Sequence, residues 1–168
     1  DAQGFMTFVR ILNTERAYER YAGCHYSLMA SIDLKDTPVT PVGAVVSRPF
    51  KGVFDGNSNT ISNLQVDHVG TSASGLFGYV EDAVIRDLVL ENSDIESDYI
   101  FCGSIAGHAT NSVIEDIRVK GGEIRAYTSG IAVEACEYAP VRTNNSGYNG
   151  GVVGLAMNST VRNCRYDG

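Results

Sequence analysis

Ile85-Arg86-Asp87-Leu88-Val89-Leu90 is one of four six-residue stretches built alike in this chain. The others are Ile61-Ser62-Asn63-Leu64-Gln65-Val66, Ile114-Glu115-Asp116-Ile117-Arg118-Val119 and Val161-Arg162-Asn163-Cys164-Arg165-Tyr166. In three of them a glycine stands seven residues ahead of the first apolar position: Gly78, Gly107 and Gly154. A pattern that returns this regularly describes stacked, equivalent coils rather than a globule built around one central site.

The hexapeptide also carries a geometric constraint. Side chains alternate across a strand, so Ile85 and Leu88 cannot share a face if the strand runs straight between them. A corner at Asp87 resolves the conflict and turns Ile85, Leu88 and Leu90 inward. Asn63, Asp87, Asp116 and Asn163 hold that position in the four copies, and Asn and Asp are the non-glycine residues that best tolerate left-handed backbone. Ser62, Arg86, Glu115 and Arg162 then face outward, where opposite charges on successive coils pair at about 0.2–1 kcal/mol each. Three inward apolar side chains per motif, each contributing about 1.5–3 kcal/mol on burial, outweigh those pairs and set the register.

The remainder of the chain fits a single solenoid domain over 1–168, with a cap at 1–25 and coils over 26–168. Phe5, Phe8, Val9 and Leu12 recur at helical spacing, so 2–13 is predicted to be a helix covering the first open strand edge. Residues 14–23 read as a loop and 26–34 as a first strand. Pro38, Pro41 and Pro49 break the next stretch into short pieces. The motifs begin 24, 29 and 47 residues apart. The surplus in the last interval falls at 127–149, which reads as a degenerate extra coil or a corner loop. Val161 and its neighbours repeat the inward pattern with no cap after them, so further repeats or another domain are expected to cover that end.

Composition narrows the function. Of 168 residues 43% are hydrophobic, enough for a core, and the 18 glycines suit a chain of many corners. The net charge of -7, without a basic stripe, argues against a nucleic-acid partner. No apolar run is long enough to span a bilayer as a helix. Cys24, Cys102, Cys136 and Cys164 show no metal-ligand spacing, and Cys164 takes the place of Leu64, Leu88 and Ile117 in the repeat, as a small buried hydrophobe would. A disulfide from Cys24 or Cys136 stays open.

Gly75-Leu76-Phe77-Gly78, Ser104-Ile105-Ala106-Gly107 and Gly151-Val152-Val153-Gly154 resemble the GLUG repeat family, named for its Gly-Leu-any-Gly motif. Ile32-Asp33-Leu34, Pro41-Val42-Gly43 and the run from Phe50 to Asn57, followed by Thr60-Ile61-Ser62-Asn63-Leu64, are similar to the entry segment of such arrays. Ser104 in place of glycine departs from the pattern. The resemblance implies a right-handed parallel β-helix in a secreted or surface-attached bacterial protein, such as an adhesin-like protein or the stalk of an immunoglobulin A-type metallopeptidase.

No catalytic constellation stands out. His25, His68 and His108 are isolated, and neither a metallopeptidase His-Glu-x-x-His nor a Gly-x-Ser-x-Gly elbow is present. Asp55-Gly56-Asn57 is a fragment of a calcium loop that lacks the other ligands and reads as a turn. No metal and no cofactor is expected. The flat Thr-rich face of an ice-binding helix is missing, because apolar residues separate Thr60 from Thr160 in the register. A carbohydrate-active β-helix enzyme needs carboxylates gathered in one groove. Glu81 with Asp82, Glu91 with Asp94 and Glu96, and the cations Arg118 and Lys120 are the candidates. Asn144-Asn145-Ser146 and Asn158-Ser159-Thr160 fit the N-glycosylation pattern. For ligand contact the best residues are Tyr127, Tyr138, Asn144, Asn145, Tyr148 and Asn149, because loops on rigid scaffolds carry binding groups. The expected role is a non-enzymatic surface module, adhesive toward host protein or glycan or a rigid spacer, with the polysaccharide lyase or hydrolase as the alternative.

Overall fold

A computed structural model describes residues 1–68, 73–97, 101–126, 141–143 and 148–167. The chain forms parallel sheets stacked as a β-solenoid of about three turns, with a helix at its N-terminal end. That helix spans Ala2–Asn13, with Asp1 as its cap: the Asp1 carboxylate accepts from the Gly4 amide at 2.8 Å. Phe5, Val9 and Leu12 are buried on one face. Phe8 packs against Tyr26 at 4.7 Å and Phe54 at 5.6 Å between ring centroids. Phe54 in turn meets Phe77 at 5.4 Å, so an aromatic line joins the cap to the interior of the coils.

Two expectations at this end need correction. Residues 14–23 are not a loop, because Glu15–Tyr21 is a second helix. It buries no side chain and so leaves no apolar period to read. Glu15 in its first turn and Arg20 in its last match the helix dipole, and the Tyr18 hydroxyl ties it down by donating to the Pro49 carbonyl at 2.7 Å. The single strand expected over 26–34 is two short strands, His25–Ser27 and Ile32–Asp33.

The two longest strands stack at a fixed interval. Val84–Ser97 and Val113–Ala126 run parallel, with Ile85 against Ile114, Leu88 against Ile117, Leu90 against Val119 and Ile95 against Ile124. Each pair is 29 residues apart. On another side Phe77–Glu81, Ala106–Thr110 and Val153–Met157 form a three-stranded parallel sheet. Ala73–Ser74, Phe101–Gly103 and Tyr148–Gly150 form a third. The two sheets approach closely at the Gly-Leu-any-Gly motif. A Cβ on Gly107 would fall 2.6 Å from the Ser74 amide nitrogen across that approach, and one on Gly78 2.8 Å from the carbonyl of Gly43, which lies outside both sheets, so only glycine fits.

Three ladders of left-handed corners separate the straight segments. Asn63, Asp87, Asp116 and Asn163 have φ of 56°, 52°, 56° and 52°, as the broken alternation predicted. Asp87, Asp116 and Asn163 share one ladder. Asn63 belongs to a second, with Asn92 (φ 53°) and Gly121 (φ 61°). Asp82, Asn111 and Asn158 (φ 51°, 49° and 48°) form a third, which the hexapeptide alone did not reveal.

The second ladder corrects the predicted stacking of the first motif. Ile61 does not lie under Ile85. It pairs with Leu90 above and Ile32 below, while Phe54 lies under Ile85. Ile61, Asn63 and Val66 thus correspond to Leu90, Asn92 and Ile95, one corner further along the coil. The 24-residue interval was a comparison between neighbouring sides of the solenoid, and 29 is the true repeat.

The aliphatic interior columns are fully buried until the last coil. Ile61, Leu64, Ile85, Leu90, Ile95, Ile105, Ile114 and Val119 have no exposed surface. Val161, at the end of the Phe54–Ile85–Ile114 column, is 41% exposed. The last interval is 47 residues because the chain passes one side twice: 141–143 pairs in parallel with 124–126 before Tyr148 reaches Phe101.

Replacing Leu88 by Asp puts a carboxylate into a 1%-exposed position. It should lower stability by at least about 4 kcal/mol, seen as a large fall in thermal midpoint. Asp87→Val should cost about 1–2 kcal/mol through its left-handed backbone, whereas Asp87→Gly should leave the denaturation midpoint nearly unchanged.

Candidate functional site

The richest cluster of charge lies on the side of the solenoid formed by 65–67, 94–96 and 123–125. Val66, Ile95 and Ile124 stack inward, at 1%, 0% and 2% exposure. Alternation therefore turns Gln65, Asp94 and Glu123 outward on one line, and Glu96 and Arg125 outward on the next. Arg125 reaches across both. Its guanidinium meets Asp94 at 2.7 Å, Glu123 at 3.0 Å and Glu96 at 3.5 Å. The hydrogen bond to Asp94 raises the Arg125 pKa further above its ordinary value, with the neighbouring carboxylates adding to it. Pro38, Gln65, Val66, Asp94, Glu96 and Arg125 line a shallow groove of about 230 Å³ here. The second carboxylate oxygen of Asp94 is buried and has no hydrogen-bond partner among the described residues.

Sequence reasoning proposed Asp94 and Glu96 and missed Glu123 and Arg125. The signal that would have found them is the 29-residue register, which sets Glu123 over Asp94 and Arg125 over Glu96. The other proposed acids and bases are dispersed. Glu81 pairs with Lys51 at 3.3 Å, Asp82 forms a corner, and Arg118 binds Asp167 at 2.9 Å. Glu91 and Lys120 are register neighbours on the adjoining side. Of the proposed ligand-contact residues, Tyr127, Tyr138, Asn144 and Asn145 lie outside the described residues. Tyr148 and Asn149 lie in a solenoid strand, paired with Phe101 and Cys102.

Chemically the cluster is acceptor-rich, with three carboxylates around one guanidinium, and Asp94 and Glu96 face the groove. Each of the three has an oxygen committed to Arg125. That is an ion-pair network, able to accept hydrogen bonds from hydroxyl or amino groups, rather than two carboxyls facing each other across a space for substrate.

A second outward line alternates in sign along the stack: Asp55, Arg86, Glu115 and Arg162 are register neighbours. Arg86 binds Asp55 at 2.8 Å, and Arg162 binds Glu115. The charge pairing expected at this position is therefore present, with Asp55 in the place assigned to Ser62. The Asp55 carboxyl is held below the ordinary range, first by the Asn57 amide at 2.9 Å and then by Arg86. Asp33 is lowered by the Asn63 side chain and the Lys35 amide, and Asp167 by Arg165 and Arg118.

Among the described residues no three His, Cys, Asp or Glu side chains are arranged to hold a metal ion. His108 stacks on Phe101 at 4.9 Å and meets the edge of Tyr79 at 5.7 Å, and burial lowers its pKa. Cys24, Cys102 and Cys164 are free thiols, while Cys136 lies outside the described residues. Cys102 is wholly buried, which pushes its thiol up to about 12. Cys164 is half-buried against the core, in the predicted repeat position. No helix among the described residues is long and apolar enough to cross a membrane.

No family model matches the chain, and no solved structure matches it. Among curated proteins it is similar to Halomucin of Haloquadratum walsbyi (strain DSM 16790 / HBSQ001), with 37% identity over 99 residues. The match covers 51% of this chain and 1% of Halomucin, so the chain spans a very small part of that relative's length.

Two outcomes follow from these charges. Asp33, Asp55 and Asp167 have lowered folded-state pKa values, so their contribution is complete above the ordinary Asp value of about 3.9 and is lost as pH falls through the lowered ones. Urea midpoints should hold from about pH 7 to 5 and drop below about pH 4, and Asp55→Asn should make that acid limb shallower. Arg125→Met leaves three carboxylates without their cation. It should cost about 1 kcal/mol at neutral pH, and less in acid as the carboxylates protonate.

Proposed function

We propose that the chain is a non-catalytic module of a surface or secreted protein, a rigid spacer whose lateral faces also adhere to host protein or glycan. The in-register stacking carries this reading. Each coil adds about 4.8 Å along the axis, the Ile85–Ile114, Leu90–Val119 and Ile95–Ile124 columns are apolar and buried, and the chemistry-bearing side chains are used to hold neighbouring coils together. A short local match to a much longer protein is what a repeat module inside an extended polypeptide would produce. The GLUG-like motifs support the same placement at the cell surface or outside the cell.

Adhesion would use the Arg125 groove, where fixed carboxylates accept from sugar hydroxyls. Glycan-array and host-protein binding scans should give a signal that Asp94→Ala with Glu96→Ala reduces at least tenfold. Empty scans would remove adhesion and leave the spacer role.

One observation favours a second reading. Asp94, Glu96 and Glu123 gather around Arg125, the first two of them lining one lateral groove; a carbohydrate-active β-helix also gathers carboxylates, but two of these would have to leave the guanidinium to flank a substrate. Release of products from uronate polysaccharides, abolished by Glu123→Gln in a protein of unchanged thermal midpoint, would establish that reading and displace the first.

A further inference from the structure

Asn158-Ser159-Thr160 lies at the outer corner that follows Val153–Met157. Asn158 is exposed, with φ of 48°. Asp82 and Asn111 occupy the same corner in the two coils beneath, so the left-handed backbone accounts for an Asn here. Ser159 is accounted for as well. Its hydroxyl donates to the Met157 carbonyl at 2.8 Å and accepts from the Ser112 amide at 3.0 Å. Ser112 repeats both contacts one coil below, donating to the Thr110 carbonyl at 2.7 Å and accepting from the Ala83 amide at 3.2 Å.

Thr160 is different. Its register neighbours are Val113 and, one coil further, Val84. The stack therefore accepts an apolar β-branched residue at this position, and the hydroxyl is not needed for pairing. Thr160 is exposed; its backbone amide donates to the Ser112 carbonyl at 2.8 Å, and its hydroxyl has no hydrogen-bond partner among the described residues. The Asn158 carboxamide likewise has no hydrogen-bond partner among the described residues. Asn63 and Asn163, by contrast, give theirs to Asp33 at 2.8 Å and Asp116 at 3.1 Å. Of the three equivalent corners only this one completes Asn-x-Thr, since the corner at Asn111 reads Asn111-Ser112-Val113.

We propose that Asn158 is an N-glycosylation site, occupied by an oligosaccharide taken from a lipid-phosphate or lipid-pyrophosphate carrier. The Asn158 side-chain nitrogen bonds to the anomeric carbon of the sugar, and the bond from that carbon to the carrier phosphate oxygen breaks. The carrier departs with the bonding electrons, and the proton released by the amide ends on the phosphate or on solvent. No redox partner is involved. The corner sits on the flank of the coil, so a glycan there leaves the strand edges free to pair. This proposal rests on the reading of the chain as a surface or secreted module.

The test is peptide mass spectrometry on the protein recovered from its native cells, with cell fractionation of the same sample. Cleavage after Arg142 and Arg162 places both sequence matches, at Asn144 and Asn158, on one peptide, so fragmentation assigns the site. The expected result is a hexose-containing mass increment on Asn158, lost in Asn158→Gln and in Thr160→Ala and retained in Ser159→Ala. A bare Asn158 in every fraction overturns the proposal. If the bare protein is found at the surface, the site alone fails; if it is found only inside the cell, the surface reading fails with it. An increment that survives Asn158→Gln assigns the sugar elsewhere and also overturns it.

Discussion

Left-handed corners at a 29-residue interval are the constraint on which the rest of the structure depends. A corner fixes where one straight segment stops and the next begins, and hence which side chains turn inward. Once Asp116 lies over Asp87, and Asn92 over Asn63, the apolar residues between them have no choice of partner. A slip of one residue would turn every inward side chain outward and, at the first ladder, move the corner backbone from Asp87 and Asp116 onto Leu88 and Ile117. Burial and corner geometry therefore select the same register, and the outward charges only adjust it.

The surface chemistry is subordinate to this stacking. Asp55, Arg86, Glu115 and Arg162 alternate in sign because each sits over the next, and Arg125 gathers Asp94, Glu96 and Glu123 for the same reason. Exposed pairs of this kind are worth little singly, but a network repeated along the stack also excludes misaligned coils, which would bring like charges together. A solenoid that spends its charged side chains on neighbouring coils is suited to holding length and presenting a flank.

Much of the fold was legible in the sequence because the repeat is local. The break in alternation between Ile85 and Leu88 located the corner ladder at Asp87, Asp116 and Asn163, and the spacing of Phe5, Val9 and Leu12 located the cap. What was missed has physical causes. Successive sides of one coil are built alike, so the stretch at Ile61 looked equivalent to that at Ile85 although it stacks on Leu90. Glu15–Tyr21 is held by its ends and by Tyr18 rather than by an apolar face. The cluster around Arg125 was only half visible, because its members are distant in sequence and meet only through the correct period. The proposed contacts in 127–149 fall on a stretch where that period is interrupted, and there the sequence offers no register to read.

The in-register stack is tested most directly by inter-strand nuclear Overhauser contacts in the labelled protein. Backbone contacts should link Ile61 to Leu90 and Phe54 to Ile85, and Ile85 to Ile114 one coil further on. Contacts between Ile61 and Ile85, or an antiparallel pattern between 84–97 and 113–126, would contradict the 29-residue stacking and the arrangement of every column derived from it.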